Sequence, residues 1–461
     1  MAAIAFTATC SLVVIDAGLD NDVIMWMDHR AVSQAQAITA TCHPCLKQTG
    51  GICSPEFSVS KILWLKEKEP QVYDAATGFL ELPDFLTWKC LKSPIASFAP
   101  SNCSVTCKWY FDAENNCWPA GLFEQLGMQE LFASPDRIGT TPSLPGTFVG
   151  HMNPDVMKEM GINPDSQVAV ASSIIDAHAG VLGMLVLYSN HVYDTTGEKI
   201  DEESIFLSTV GTSTCHMVLH RTRNETNGVW GPYLNVVTNG HYVREPGQSA
   251  TGKLIDHCIN THPEKHTTFK NKKLGEILPV INQKIHDRRS DRLMNPLVVN
   301  PSFHGNRCPL ADASLRGGIY GLDLTEPDLT ILYEAVIEAL CYETKFIVDE
   351  VEMKDLHAVL VSGGLMKNEA FMQIYADVMG VRVVGIECSG VDMMLVGTAI
   401  MARQAVLGSD LSLPALRDIR FNDMKLNKFD PSPDYRQHHD KKYQAYRIFM
   451  KASQEMQQLL N

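Results

Sequence analysis

No apolar run in the 461-residue chain reaches the roughly 18 residues that a bilayer-spanning helix needs, so no membrane partner is expected. The start, residues 1–18, is apolar but has no basic leading region, and it reads as a buried strand rather than a signal segment. Positive charge is also short. Lys and Arg number 39 against 53 Asp and Glu, a formal net charge of −14. Nucleic acids and anionic membranes are held by clustered Lys and Arg, so the balance argues against both. Any phosphate must then be met locally, by backbone dipoles and a cation. A disulfide framework is missing too, because the 13 cysteines are odd in number and Cys215, Cys258 and Cys341 sit in apolar or helical surroundings. Reduced thiols in a cytoplasmic protein fit better. Cys42-His43-Pro44-Cys45 has C-x-x-C spacing, yet a structural zinc needs four ligands and no second pair follows.

What is present describes an ordinary soluble globular protein, 45% hydrophobic and 20% charged. Its length exceeds one hydrophobic core, so two domains are expected: residues 1–188 and, after a polar stretch, residues 203–461.

Three stretches each place a polar group at the end of a strand. Residues 168–175, VAVASSII, read as a strand buried on both faces, and the chain then turns at Asp176 into a small, apolar helix with Gly180 and Gly183, as for close packing on a sheet. An acid at the carboxyl end of such a strand lies where open α/β sheets bind ligands and can take a proton from a hydroxyl; as readily, it only caps the helix. Residues 205–219 read as two strands around Gly211-Thr212-Ser213-Thr214, a turn whose amides and hydroxyls suit an anion, or an ordinary hairpin. Residues 356–361 read as a buried strand ending in Ser362-Gly363-Gly364-Leu365-Met366-Lys367-Asn368 before a helix. Two glycines there permit close backbone approach to a nucleotide. This is neither a Walker A loop nor a G-x-G-x-x-G fingerprint.

Other polar groups stand in apolar flanks. Asp28 and Arg30, in Trp26-Met27-Asp28-His29-Arg30, can fix ligand hydroxyls through charge-assisted hydrogen bonds or form a surface ion pair. Lys108, between Cys107 and Trp109, is costly to bury unless its ammonium meets oxygen atoms. Glu245 lies just ahead of a helix expected over 250–259, where an acid is often a dipole partner. Thr325-Glu326-Pro327-Asp328 reads as a helix start with a hydroxyl cap, and residues 441–460 as an amphipathic helix docked on the body.

In order and spacing these stretches resemble the FGGY carbohydrate kinase family, in particular its eukaryotic D-ribulokinase-like branch. The similarity runs nearly end to end, through residues 82–88 (LPDFLTW), Cys107-Lys108-Trp109, the run ending at Gly180, Gly211-Thr212-Ser213, residues 240–252 (GHYVREPGQSATG), residues 303–307 (FHGNR) and the di-glycine turn. The resemblance implies a two-domain actin-like ATPase (ribonuclease H-like) α/β fold around a cleft, and transfer of the γ-phosphate of ATP to a sugar hydroxyl, D-ribulose or a related ketopentose. It gives Asp176 the role of general base and of an indirect Mg2+ ligand through water. Asp28, Arg30, Lys108 and Glu245 would contact sugar; Gly211, Thr212 and Ser213 would face the phosphates, and Gly363, Gly364 and Asn368 the adenosine. Oligomeric state stays open, a homo-oligomer included, as does the choice of sugar.

One departure stands out. The D-x-G-T-type phosphate turn with which family members open is not found upstream of Ala5, and Thr7 stands where an acid is expected. A first domain truncated in this way would leave an apolar strand edge open. Two readings follow: an ATP-dependent sugar kinase, or a non-catalytic product that keeps nucleotide or sugar binding.

Overall fold

A computed structural model describes residues 2–16, 22–133, 137–291, 294–324, 327–353, 355–388, 390–421 and 423–460. The chain gathers into two compact units. The first comprises Met1–Glu202, Leu219–Arg244 and Cys388–Asp423; the second comprises Glu203–Val218, Glu245–Glu387 and Met424–Asn461. Two later segments thus return to the first unit.

In the first unit the opening run breaks into three pieces. Ala3–Ile4 pairs in parallel with Ala169–Ala171, and Thr7–Ala8 with Ile174–Ile175. Leu12–Asp16 runs antiparallel to Asp22–Ile24 and Ala76–Glu81. The expected single strand over 168–175 is broken at Ser172-Ser173, whose buried side chains bond elsewhere: Ser173 Oγ donates to Asp84 Oδ1 at 2.6 Å, and Ser172 Oγ meets Ser143 Oγ at 2.9 Å. Serine hydroxyls that find local or tertiary partners compete with the ladder, and here they win. Ala3–Ile4 lies at one edge of the order Ala3–Ile4, Ala169–Ala171, Phe148–His151, with partly exposed side chains. The helix Met393–Leu407 packs over these strands.

The helix Asp176–Thr196 also packs chiefly on Met393–Leu407 rather than flat on a sheet. A Cβ at Gly397 would stand 1.9 Å from the Ala179 carbonyl oxygen, and one at Gly183 would stand 2.6 Å from that of Met393. Glycine is therefore what brings the two helices this close. The main core of the unit joins Leu12, Val14, Ile38, Phe57, Ile62, Phe79, Trp109, Tyr110 and Phe123.

In the second unit Ile205–Val210 and Thr214–His220 form the expected hairpin. Ile205–Val210 pairs in parallel with Ala358–Ser362, which pairs in parallel with Arg382–Cys388, and Met424–Phe429 follows at the edge. The helices Gly252–Thr261, Leu274–Ser290 and Glu369–Met379 pack against the 22-residue helix Leu329–Glu350. Asp328 caps that helix, accepting from Thr330 N–H; Thr325 and Glu326 lie outside the described residues. The terminal helix Pro433–Leu460 docks on the same unit. Its Tyr443 and Tyr446 rings meet Tyr342, and the Lys442 ammonium pairs with Glu338 in the interior.

Candidate functional site

Asp176 is the first residue of its helix, not the cap. Ile175 holds the cap position and offers no side-chain acceptor. The half-buried Asp176 carboxylate accepts from the N–H of Ala177 at 2.7 Å, at the end of a helix where the peptide dipoles favour negative charge. The short strand Ile174–Ile175 delivers it there.

Lys108 rides on the helix Asn102–Trp109, whose cap Ser101 accepts from Cys103 N–H and donates to the Ser173 carbonyl at 2.6 Å. The lysine is only 7% exposed, and its ammonium lies 4.7 Å from the centre of the Trp230 ring and 5.1 Å from that of Phe57. Aromatic faces thus attract the charge, beyond the oxygen atoms expected from the sequence. Cys10 marks where these groups converge. Burial first, then the negative charge of Glu81, pushes its thiol well above the usual range, with Lys108 acting the other way and Cys103 and Asp176 adding to the rise. Asp176 and Lys108 therefore share one neighbourhood with Glu81.

Glu81 and Lys61 went unnoticed in the sequence. Glu81 is buried, accepts from Ser58 Oγ and from Trp109 Nε1 at 2.8 Å, and is raised by burial while Lys108 and Lys61 oppose that rise. Its Oε2 has no hydrogen-bond partner among the described residues. Lys61 donates to the carbonyls of Met25 and, at 3.0 Å, Trp26, and burial pushes it down to about 8. It thereby ties down the segment that carries Asp28 and Arg30. A lysine on the apolar face of the helix Ser58–Lys68, between Val59 and Ile62, was the available signal. Asp28 and Arg30 themselves form an exposed pair, with Arg30 Nε 2.9 Å and 3.0 Å from the two carboxylate oxygens and its guanidinium 4.4 Å from the Trp64 ring centre. The guanidinium beside Asp28 lowers that carboxyl.

In the second unit the carbonyls of Gly211 and Thr212 accept from Gly252 N–H at 3.0 Å and from Thr251 and Lys253 N–H at 2.9 and 3.1 Å. The turn is thus seated on the start of the helix Gly252–Thr261, while Gly211 and Thr212 are exposed and Ser213 is half-buried. Gly363 has φ +96°, and a Cβ there would stand 2.4 Å from the Val210 carbonyl oxygen, so only glycine lets this turn pass beside the first strand. Gly364 faces open space. Asn368 is buried as the cap of Glu369–Met379, accepting from Phe371 N–H and from Asn282 Nδ2 and donating to Tyr333. Lys367 and Glu369, on either side of it, line a cavity of about 1160 Å³ with Asn282, Gln283 and His286. Glu245 is buried and accepts from Arg307 at 3.1 Å, while the neighbouring Asn306 and Gln248 both donate to Glu343, whose carboxyl burial pushes up to about 7.

An acid at a strand-to-helix junction in one α/β unit, with a hydroxyl turn and a di-glycine turn in the other, is the pattern of actin-like ATPase sugar kinases. The solved glycerol kinase of Plasmodium falciparum with ADP shares the fold at TM-score 0.74 and 16% identity, over 96% of this chain and 83% of that one. Residues 2–183 match the N-terminal domain, and residues 206–406 the C-terminal domain, of the FGGY family of carbohydrate kinases. The chain belongs to that family. A human FGGY carbohydrate kinase domain-containing protein is 34% identical over 99% of this chain and 85% of its own length. The D-ribulokinase YDR109C of Saccharomyces cerevisiae is 31% identical over 89% of this chain and 62% of its own.

Proposed function

We propose that this chain phosphorylates a hydroxyl of D-ribulose or a related ketopentose with ATP, and that Asp176 is the general base. The observation that carries the reading is the place of Asp176: first in its helix, half-buried, and relieved of capping by Ile175. As the sugar hydroxyl attacks the γ-phosphorus, its proton passes to the Asp176 carboxylate, the P–O bond to the β-phosphate breaks, and ADP leaves. The similarity to the yeast D-ribulokinase supports the ketopentose.

Phosphoryl transfer asks mainly for positioning and charge neutralisation. With the carbonyls of Gly211 and Thr212 spent on the helix start and the Gly211 N–H on the Ser213 carbonyl at 2.9 Å, this turn, with Gly211 allowing close approach, offers the phosphates the amides and hydroxyls of Thr212 and Ser213. Gly363, Gly364 and the buried Asn368 shape the adenosine side, and the cavity beside Lys367 and Glu369 has room for a nucleoside. Lys108, with Asp28 and Arg30 held through Lys61, serves the sugar; Glu245, oriented by Arg307, serves it as a hydroxyl acceptor. Mg2+, which neutralises phosphate charge, fits a site of one carboxylate, Asp176, acting through water: it is commonly held by one or two carboxylates together with substrate phosphates. The free thiols of all 13 cysteines support a cytoplasmic location.

The test is ADP formation with Mg-ATP across a panel of ketopentoses and polyols, with Asp176→Asn alongside. Sugar-dependent turnover that falls by about 10²–10⁴ in the variant is expected. A folded chain that binds ATP and never turns over would leave the non-catalytic reading standing.

A further inference from the structure

Beside the groups assigned to the sugar, on the same two helices, the first unit brings three ligand atoms to one buried spot. One atom each from Cys103, Cys107 and His178 lie within 4.8 Å of one another. The cysteines come from one face of the helix Asn102–Trp109, where i, i+4 spacing stacks them. The histidine comes from the first turn of the helix that begins at Asp176. All three are 2% exposed or less.

The spacing is that of a coordination edge. Cys107 Sγ stands 3.6 Å from His178 Nε2. A tetrahedral zinc with Zn–S of about 2.3 Å and Zn–N of about 2.0–2.1 Å separates sulfur from nitrogen by about 3.6 Å. Charge fits as well: a divalent ion with two thiolates and a neutral imidazole is a neutral unit, which a dry interior tolerates. The grouping supplies three protein ligands, so the fourth position falls to water. The other grouping of this kind among the described residues, Glu338 with His438 and His439, already holds the Lys442 ammonium against its carboxylate.

We propose that Cys103, Cys107 and His178 bind a borderline-soft divalent cation of the zinc type, pinning the start of the Asp176 helix to the helix that carries Lys108. The site is structural and independent of the kinase reading, since metal uptake is measured without turnover.

The full chain, purified under reducing conditions and stripped with chelator, is titrated with Co2+. One equivalent per chain is expected, with near-ultraviolet thiolate-to-cobalt absorption that Zn2+ abolishes and with a rise in melting temperature. Cys107→Ser and His178→Asn should lose these bands, while a Cys42→Ser, Cys45→Ser double variant keeps them. Should the buried variants fail to fold, anomalous scattering at the zinc edge from crystals of the unsubstituted chain decides the matter. A peak between the three side chains supports the site. A folded chain that takes up no metal, or holds it elsewhere, overturns it.

Discussion

Asp84 and Ser173 are joined by a 2.6 Å hydrogen bond in the interior, and the same Asp84 oxygen accepts the Ser101 backbone N–H at 2.9 Å. One carboxylate thereby ties the strand break just before Asp176 to the cap of the helix that carries Lys108. Burial is the main reason its carboxyl is pushed up to about 7, with Glu81 adding to the rise and the bonds from Ser173 and Ser101 opposing it.

The sign of the linkage follows from that shift. The folded chain holds a proton on Asp84 up to about pH 7, whereas the unfolded chain loses it near 3.8. The contribution is fully present below the unfolded value and is lost as pH rises toward 7. Asp84→Asn cannot titrate, so its unfolding free energy, measured by urea titration between pH 4 and 7, should decline less steeply than that of the wild type, the remainder coming from Glu343, which burial also pushes up to about 7. Parallel curves for the two proteins would refute the assignment.

Lys61 gives the opposite case. Its folded value of about 8 lies below the usual 10.5, because burial disfavours the ammonium. Between those values the unfolded chain binds more protons, so stability should rise with pH from about 8 to 10.5. Lys61→Met abolishes that rise and, by removing the donor to Met25 and Trp26, frees the Asp28–Arg30 segment. The expected signature is faster proteolysis near residue 28 and a raised sugar KM, with the ATP KM unchanged. Equal proteolysis rates would show that the segment is held by other contacts.

What the sequence made legible was local. Asp176, the Gly211 turn and Gly363 are read from a strand running into a turn, and the structure puts each at that junction. What it hid was tertiary. The Asp84–Ser173 bond spans 89 residues and the Ser101–Ser173 bond 72, so nothing near Asp84 announces its partners. The strand Ala76–Glu81 escaped for a related reason: ATGFLE has little β-branched character, and pairing with Leu12–Asp16 makes it a strand.

The junction of the Asp176 and Met393 helices offers a test of packing. Any side chain at Gly397 meets the Ala179 backbone, which cannot swing away as a flexible side chain would. Gly397→Ala should therefore cost about 1–3 kcal/mol, as overpacked cores do. Thermal melting should fall by roughly 2–4 °C for each kcal/mol. An unchanged melting temperature would mean the helices part freely.

Gly364 separates stability from nucleotide binding. Nothing lies within 4 Å of a Cβ built there, and its backbone lies outside the left-handed region, so Gly364→Ala should melt with the wild type. Its neighbour Gly363 is the contrast, since a Cβ there strikes the Val210 carbonyl and should destabilise the unit. If adenosine approaches the backbone at this turn, the added methyl group stands in its way, and the ATP KM should rise several-fold while the sugar KM holds. Titration of a fluorescent ATP analogue into both proteins measures this without turnover. Equal affinity would remove the di-glycine turn from the nucleotide site while leaving Asp176 and the Gly211 turn in place, because neither depends on where the base lies.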